Sequence, residues 1–236
     1  MQFLSSKAIT SYPKTKSFQQ TFFKLNNIKN IIFDFGGVIL NIDYTKTEVA
    51  FRELGIENFE TQYSQMKQSA VFDKLETGKI TEDEFVSAIQ KTTDKNIPKD
   101  QIITAWNAML LDLPLRRLQL LQQLQLHYNI YLLSNTNSIH EIAFNKMLKS
   151  LTGFNSMGVF FDKVYYSHHI GMRKPDKKIF EFILKENNLI PNETLFIDDS
   201  PQHIASAKEL GIQTIFLKKG TTIEDDIFKP KTNNNS

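Results

Sequence analysis

The sequence predicts an α/β fold: a Rossmann-like open parallel sheet with helices on both faces, interrupted by an inserted α-helical cap. Three observations predict it. Five short apolar runs, at 28–35, 130–133, 164–166, 194–197 and 214–217, have the β-branched and aromatic character of buried strands. Helical patterns separate the last four, and strand–helix alternation is the signature of right-handed βαβ units. The stretch from about Thr45 to Asp112 carries helical signals with no strand pattern among them.

Each element has its own punctuation. The first run, NIIFDF, closes on Gly36-Gly37, a strand meeting a tight turn. In the cap, Thr81 and Glu84 form a capping box, Gly55 and Gly78 act as breaks, and Pro98 precedes Ala105-Trp106. Leu118, Leu121 and Leu124 repeat at helical spacing within a helix predicted over 115–127. The second strand ends in Ser134-Asn135-Thr136, and Ser138 with Glu141 reads as a capping box for a helix over 139–148. The third strand runs into His168-His169 and then GMRKPD, followed by a helix over 177–187. The fourth ends in Asp198-Asp199; Ser200-Pro201 starts a helix that Gly211 stops before the last strand.

These boundaries assign residues 28–44 and 113–228 to the core and 45–112 to the cap. Residues 1–27 contain Lys, Ser and Thr but no acid and read as a loosely ordered extension, and the polar ending 229–236 as a mobile tail. With 236 residues, 41% of them hydrophobic, the chain has enough apolar surface for a sizeable core. A net charge of +2 from nearly balanced acids and bases gives no footing to a nucleic-acid surface or a polybasic membrane face. No apolar run reaches the roughly 18 residues of a spanning helix. The lack of cysteine excludes thiol nucleophiles and thiolate-bound zinc, and suits a cytoplasmic setting. Five scattered histidines show no paired ligand spacing, so no zinc site is expected.

The chemistry collects at the strand ends, where open parallel sheets bind ligands. Asp34 ends the first strand, and the glycines after it let a ligand approach the backbone closely. Asp198 and Asp199 place adjacent like charges at a strand end, an arrangement that a hard, oxygen-liganded cation such as Mg²⁺ would relieve. Ser134 and Asn135 offer hydroxyl, amide and main-chain donors ahead of a helix, and Lys174 offers an ammonium that neutralises a phosphate. Three acids, a lysine and a hydroxyl are parts suited to phosphoryl transfer through an acidic nucleophile and a divalent cation.

In order and wording, IIFDFGGV, LLSNTN, GMRKPD and LFIDDS resemble the haloacid dehalogenase superfamily of phosphohydrolases across about 28–220. The wording is closest to the branch holding α-glucose-1-phosphate phosphatase and the N-terminal phosphatase half of soluble epoxide hydrolases. The resemblance implies that Asp34 attacks phosphorus to give an aspartyl-phosphate that water then hydrolyses. It implies Mg²⁺ on Asp34, the carbonyl of Gly36, Asp199 and Asp198, with Ser134 and Asn135 on the phosphoryl oxygens and Lys174 beside Asp34. The expected partner is a small phosphorylated metabolite, such as a sugar phosphate.

One position departs from the family pattern. Phosphatases of this family usually carry a second Asp two residues after the nucleophile, as general acid and base; here that residue is Gly36. Losing such a group costs roughly 10²–10⁴ in rate. Asp43, just before the cap, is a candidate replacement, with a helix cap as its alternative role. In the cap, Phe72 and the turn Glu76-Thr77-Gly78-Lys79 are placed toward substrate, and Phe85, Ile89, Trp106 and Leu110 in its core. Two other readings compete: a non-catalytic phosphometabolite receptor, which Gly36 favours, and a hydrolytic dehalogenase, which the Asp198-Asp199 pair disfavours.

Overall fold

The computed structural model describes residues 25–56 and 70–229; the expectations for residues 1–24 and 230–236 lie outside them. Strands β1 (Asn30–Phe33), β2 (Asn129–Ser134), β3 (Lys163–Tyr166), β4 (Thr194–Asp198) and β5 (Gln213–Phe216) form one wholly parallel sheet, ordered β3-β2-β1-β4-β5. Phe33 lies opposite Leu132 on one side and Ile197 on the other, so the three central strands deliver their loops at one height. The chain runs outward from β1 through β2 and β3, then returns to β4 on the opposite side. That reversal opens a crevice beyond the carboxyl ends of β1 and β4.

Both faces of the sheet are buried, which is why its strands read as continuous apolar runs rather than alternating ones. On β1, Ile31 and Phe33 share a cluster with Leu121, Leu124, Phe144 and Leu148, from helices α5 (Leu115–Leu124) and α6 (Ser138–Thr152). Ile32 points to the other face, with Phe180 and Ile183 of α8 (Lys177–Glu186) and Ile204 and Ala207 of α9 (Pro201–Glu209). Each fully buried side chain of this kind stabilises the fold by about 1.5–3 kcal/mol.

Between β1 and α5 lie α1 (Tyr44–Glu53), α2 (Ala70–Glu76), α3 (Glu82–Gln90) and α4 (Lys99–Asn107), packed round their own cluster of Phe51, Phe72, Phe85, Ile89 and Trp106. Phe72 does not face a substrate as expected. It is 1% exposed and stacks on Trp106, with ring centroids 5.1 Å apart, because its apolar bulk completes this small core. The Thr81–Glu84 capping box forms: Glu84 N donates to Thr81 Oγ1 and Thr81 N to Glu84 Oε2. A short two-stranded stem joins the helices to the sheet. In it, Asn41 N donates to Asp112 O, Leu111 N to Asn41 O, and Asp43 N to Met109 O.

Two local expectations change. Helix α6 runs over 138–152, longer than predicted, and its cap is Asn137, whose side chain accepts from His140 N at 3.0 Å. Glu141 is thereby freed from a capping box and turns to the histidines. Those histidines, His168 and His169, sit on a one-turn helix, α7 (Ser167–Ile170). Among the described residues no helix is long and apolar enough to cross a membrane.

Candidate active site

Asp34 is the first residue past β1, and its N–H still donates to Ile197 O at 2.9 Å, so the sheet fixes where its carboxylate starts. The side chain of Lys174 has no exposed surface. All three of its ammonium hydrogens find acceptors: Asp34 Oδ1 at 2.6 Å, Asp198 Oδ2 at 2.8 Å and Leu133 O at 3.0 Å. An ammonium this deep is tolerable only because it is fully paired. Burial works against its charge, but Asp198 and Asp34 together raise it above the ordinary lysine value.

Asp198 is fully buried and saturated with partners. Besides Lys174 it accepts from Ser200 N at 2.7 Å, and His203 Nδ1 lies 3.0 Å from both its oxygens. Burial works against its charge, but Lys174 and His203 outweigh burial and bring it down to about 2. His203 was not anticipated. It stands on the first turn of α9, and only the turn between β4 and α9 folds it back onto a residue five positions earlier.

Asp199 points the other way, toward Gly37. A Cβ on Gly37 would collide with its Oδ2, and φ there is +78°, so glycine is required twice over. Carboxylate oxygens of Asp34, Asp198 and Asp199 lie within 4.8 Å of one another. Burial and the neighbouring acids push Asp34 up to about 7 and Asp199 up to about 6. Three acids against one ammonium leave an excess of negative charge that a cation would neutralise. Oxygen donors alone, in a half-enclosed crevice, fit Mg²⁺.

Ser134, at the end of β2, is buried beside this group. The side chain of Asn135 has a different task from the expected one: it accepts from Lys174 N at 2.9 Å and donates to Lys174 O at 2.8 Å. Its amide therefore holds the lysine loop in place, leaving the backbone N–H and the second Nδ2 hydrogen of Asn135 for other acceptors. Asp43 is the N-cap of α1, accepting from Thr45 N at 3.0 Å and Thr45 Oγ1 at 2.6 Å. Those bonds keep its carboxyl below the ordinary range, so it has no proton to give at neutral pH and the helix-cap role prevails.

The helical unit closes over the site. Arg173 bridges to Asp73 and Glu76 of α2, each at 3.0 Å, and Gly78 packs so tightly on the carbonyl of His168 that a Cβ there would collide with it. The seam encloses a cavity of about 60 Å³ lined by Gly36, Tyr44, Glu76, Ser134, Thr136 and His140. A larger groove of about 800 Å³ runs past Asp199, Asp43 and Lys218, but neither Asp34 nor Ser134 lines it. The small cavity thus meets Gly36, Ser134 and Asn135, and the groove meets Gly37 and Asp199 from the other side.

Known proteins resemble this chain in sequence and fold. A sequence profile of haloacid dehalogenase-like hydrolases matches residues 31–217. A D-ribitol-5-phosphate phosphatase from Bacteroides thetaiotaomicron is 36% identical over 197 residues, 82% of this chain and 93% of that protein. A haloacid dehalogenase family enzyme from the same organism, solved with magnesium and inorganic phosphate, superposes with a TM-score of 0.75 at 36% identity, covering 82% of this chain and 96% of that one. A related hydrolase from Porphyromonas gingivalis gives 0.75 at 30% identity, covering 82% and 93%.

Proposed function

The chain belongs to the haloacid dehalogenase-like hydrolases, and from that premise we infer that it is a Mg²⁺-dependent phosphatase of small phosphorylated metabolites, working through Asp34. The observation that carries the residue assignment is the buried ammonium of Lys174 held between Asp34 and Asp198.

An oxygen of the Asp34 carboxylate attacks phosphorus, the bond to the leaving oxygen breaks, and the resulting aspartyl-phosphate is hydrolysed by water. Lys174 fixes the rotamer of the nucleophile and offsets charge as it develops. Ser134 Oγ and the backbone N–H of Asn135 hold the phosphoryl oxygens near the start of α6. Asp34, Asp199 and the carbonyl of Gly36 would hold Mg²⁺, with Asp198, its oxygens already taken, beside them as added negative charge and His203 orienting it from behind. When bound, Mg²⁺ supplies the positive charge that allows a phosphate among three carboxylates. The helices between β1 and α5 act as the cap, and the absence of cysteine suits a cytoplasmic setting.

Gly36 leaves no strong acid for the departing oxygen. Burial pushes His140 down to about 3, so it is a neutral imidazole, and burial with nearby acids pushes the Tyr44 phenol up. These groups suit recognition of hydroxyls better than proton delivery, and with Glu76 they give the seam the polar lining a sugar or sugar-alcohol phosphate needs. The test is phosphate release from pentitol and hexose phosphates in Mg²⁺ and in chelator, beside 4-nitrophenyl and phenyl phosphate. Release is expected from polyol or sugar phosphates in Mg²⁺ only. Without a proton donor, kcat/KM for the nitrophenyl ester should exceed that for the phenyl ester by roughly 10². Equal values would mean that another side chain protonates the leaving oxygen, and metal-independent release would overturn the assignment.

The acids also predict a pH dependence. Asp34 and Asp199 bind protons more tightly folded than unfolded, so without metal their contribution to stability falls as pH rises from 3.8 to about 7 and from 3.8 to about 6, respectively. His140 runs the opposite way, its contribution growing as pH rises from about 3 to 6.5. Comparing melting temperature in Mg²⁺ with that in chelator cancels the histidine. The Mg²⁺-induced rise should be small at pH 5 and grow through pH 7, as fewer protons must be displaced. A rise that is flat with pH would sever the cation from these acids.

A further inference from the structure

We propose that Glu141, His168 and His169 form a second cation site, for an exchangeable transition-metal ion of the zinc type, distinct from the acid cluster at Asp34. The Nε2 atoms of both histidines approach one oxygen of Glu141, at 2.9 Å and 3.0 Å. A ligand atom from each of the three residues falls within 4.8 Å of the others. Ligand spacing along the sequence did not suggest this site, because its members come from separate elements. Glu141 stands on the first turn of α6 and the histidine pair on α7. The parallel pairing of Ser134 with Tyr166 brings the starts of those two helices side by side.

The donor set selects the ion. Two imidazole nitrogens and one carboxylate oxygen suit Zn²⁺, Co²⁺ or Ni²⁺ and are foreign to Mg²⁺, which takes oxygen. Around a tetrahedral ion with bonds of about 2.0–2.1 Å, donors stand about 3.3 Å apart. The observed 2.9 Å and 3.0 Å therefore need to open by only a few tenths of an ångström. Three protein ligands leave the fourth position to water.

The site is pre-set on one side and open on the other. His168 is buried, with its ring stacked on that of Tyr166 at 13°, and Glu141 is half-buried. His169 is 57% exposed and gives the ion a path from solvent. The other nitrogen of His168, Nδ1, is buried and has no hydrogen-bond partner. Ligation through Nε2 requires the proton on Nδ1, and no acceptor meets it there. Outer hydrogen bonds of that kind are worth about 10–100-fold in metal affinity, so this ion exchanges rather than residing permanently.

The test titrates Co²⁺ into the chelator-treated full chain with Mg²⁺ in excess, following the visible absorption and the equivalents bound. The native protein is expected to bind one more Co²⁺ than His169→Ala, with an absorption band that the variant lacks. Affinity at that site should fall by more than about 10-fold in the variant. His169 touches none of the groups placed around phosphorus, so Mg²⁺-dependent turnover should be unchanged in His169→Ala. Glu141→Gln is expected to lose the same equivalent and serves as the comparison if circular dichroism shows the first variant misfolded. Equal stoichiometry and affinity in native protein and variants would overturn the proposal, and would leave a carboxylate hydrogen-bonded to two imidazoles. Because Co²⁺ is counted directly, this outcome is independent of whether the chain hydrolyses phosphate.

Discussion

Asp34→Asn is expected to lower phosphate release by at least about 10⁴-fold while leaving the unfolding midpoint within about 1 kcal/mol of the native value. The two halves of this result have different causes. An amide cannot form the aspartyl-phosphate, so the reaction loses its covalent route and keeps only the binding of phosphate. The fold loses little, because burial has already pushed Asp34 up to about 7 and a neutral isostere removes a costly charge. Lys174 keeps Asp198 Oδ2 at 2.8 Å and Leu133 O at 3.0 Å, and the amide oxygen of the variant can still accept its third hydrogen. Phosphate release in a sugar-phosphate assay and a urea titration on the same preparation check both halves. Turnover within tenfold of native would remove Asp34 from the nucleophile's role.

The residues that were legible from sequence are those whose position a strand end determines. Asp34, Ser134, Asp198 and Asp199 each follow an apolar run, and a parallel sheet brings such ends together whatever the loops do. Lys174 was legible only through its company in GMRKPD, since a lone lysine gives no sign that it will be buried. What was not legible depends on contacts between distant elements or on which of two local bonds wins. Asp43 had two available roles, and two hydrogen bonds to Thr45 decided for the cap. Phe72 carries the same apolar side chain whether it lines a substrate pocket or a core, and Trp106 settles the matter from 34 positions away. His203 and the side chain of Asn135 act on groups already in the site rather than on the phosphate, and no motif spacing announces such support. The bridge from Arg173 to Asp73 and Glu76 spans about a hundred residues of chain, beyond the reach of any local pattern.

Lys174→Met tests whether the ammonium holds the site together as well as serving its chemistry. Methionine fills much of the same volume, so the loss is chiefly of charge and three hydrogen bonds. Removing one partner of a buried ion pair costs about 3–5 kcal/mol, because the remaining charge is stranded. Here two carboxylates are stranded, one of them with no exposed side-chain surface. The penalty has a direction in pH. At pH 8 both acids are ionised in the native protein, and the variant must either keep two uncompensated charges or take up protons to fold. Near pH 5 the proton that Asp34 needs is readily available, so the difference in stability between native and variant should shrink. Mg²⁺ should recover part of the stability at pH 8, since it neutralises the same acids, but not the rate. Nothing then fixes the nucleophile's rotamer, and kcat should fall by roughly 10²–10³. Denaturant midpoints at the two pH values, in chelator and in Mg²⁺, separate these contributions. A variant as stable as the native protein at pH 8 in chelator would mean that Asp34 and Asp198 do not depend on the ammonium between them.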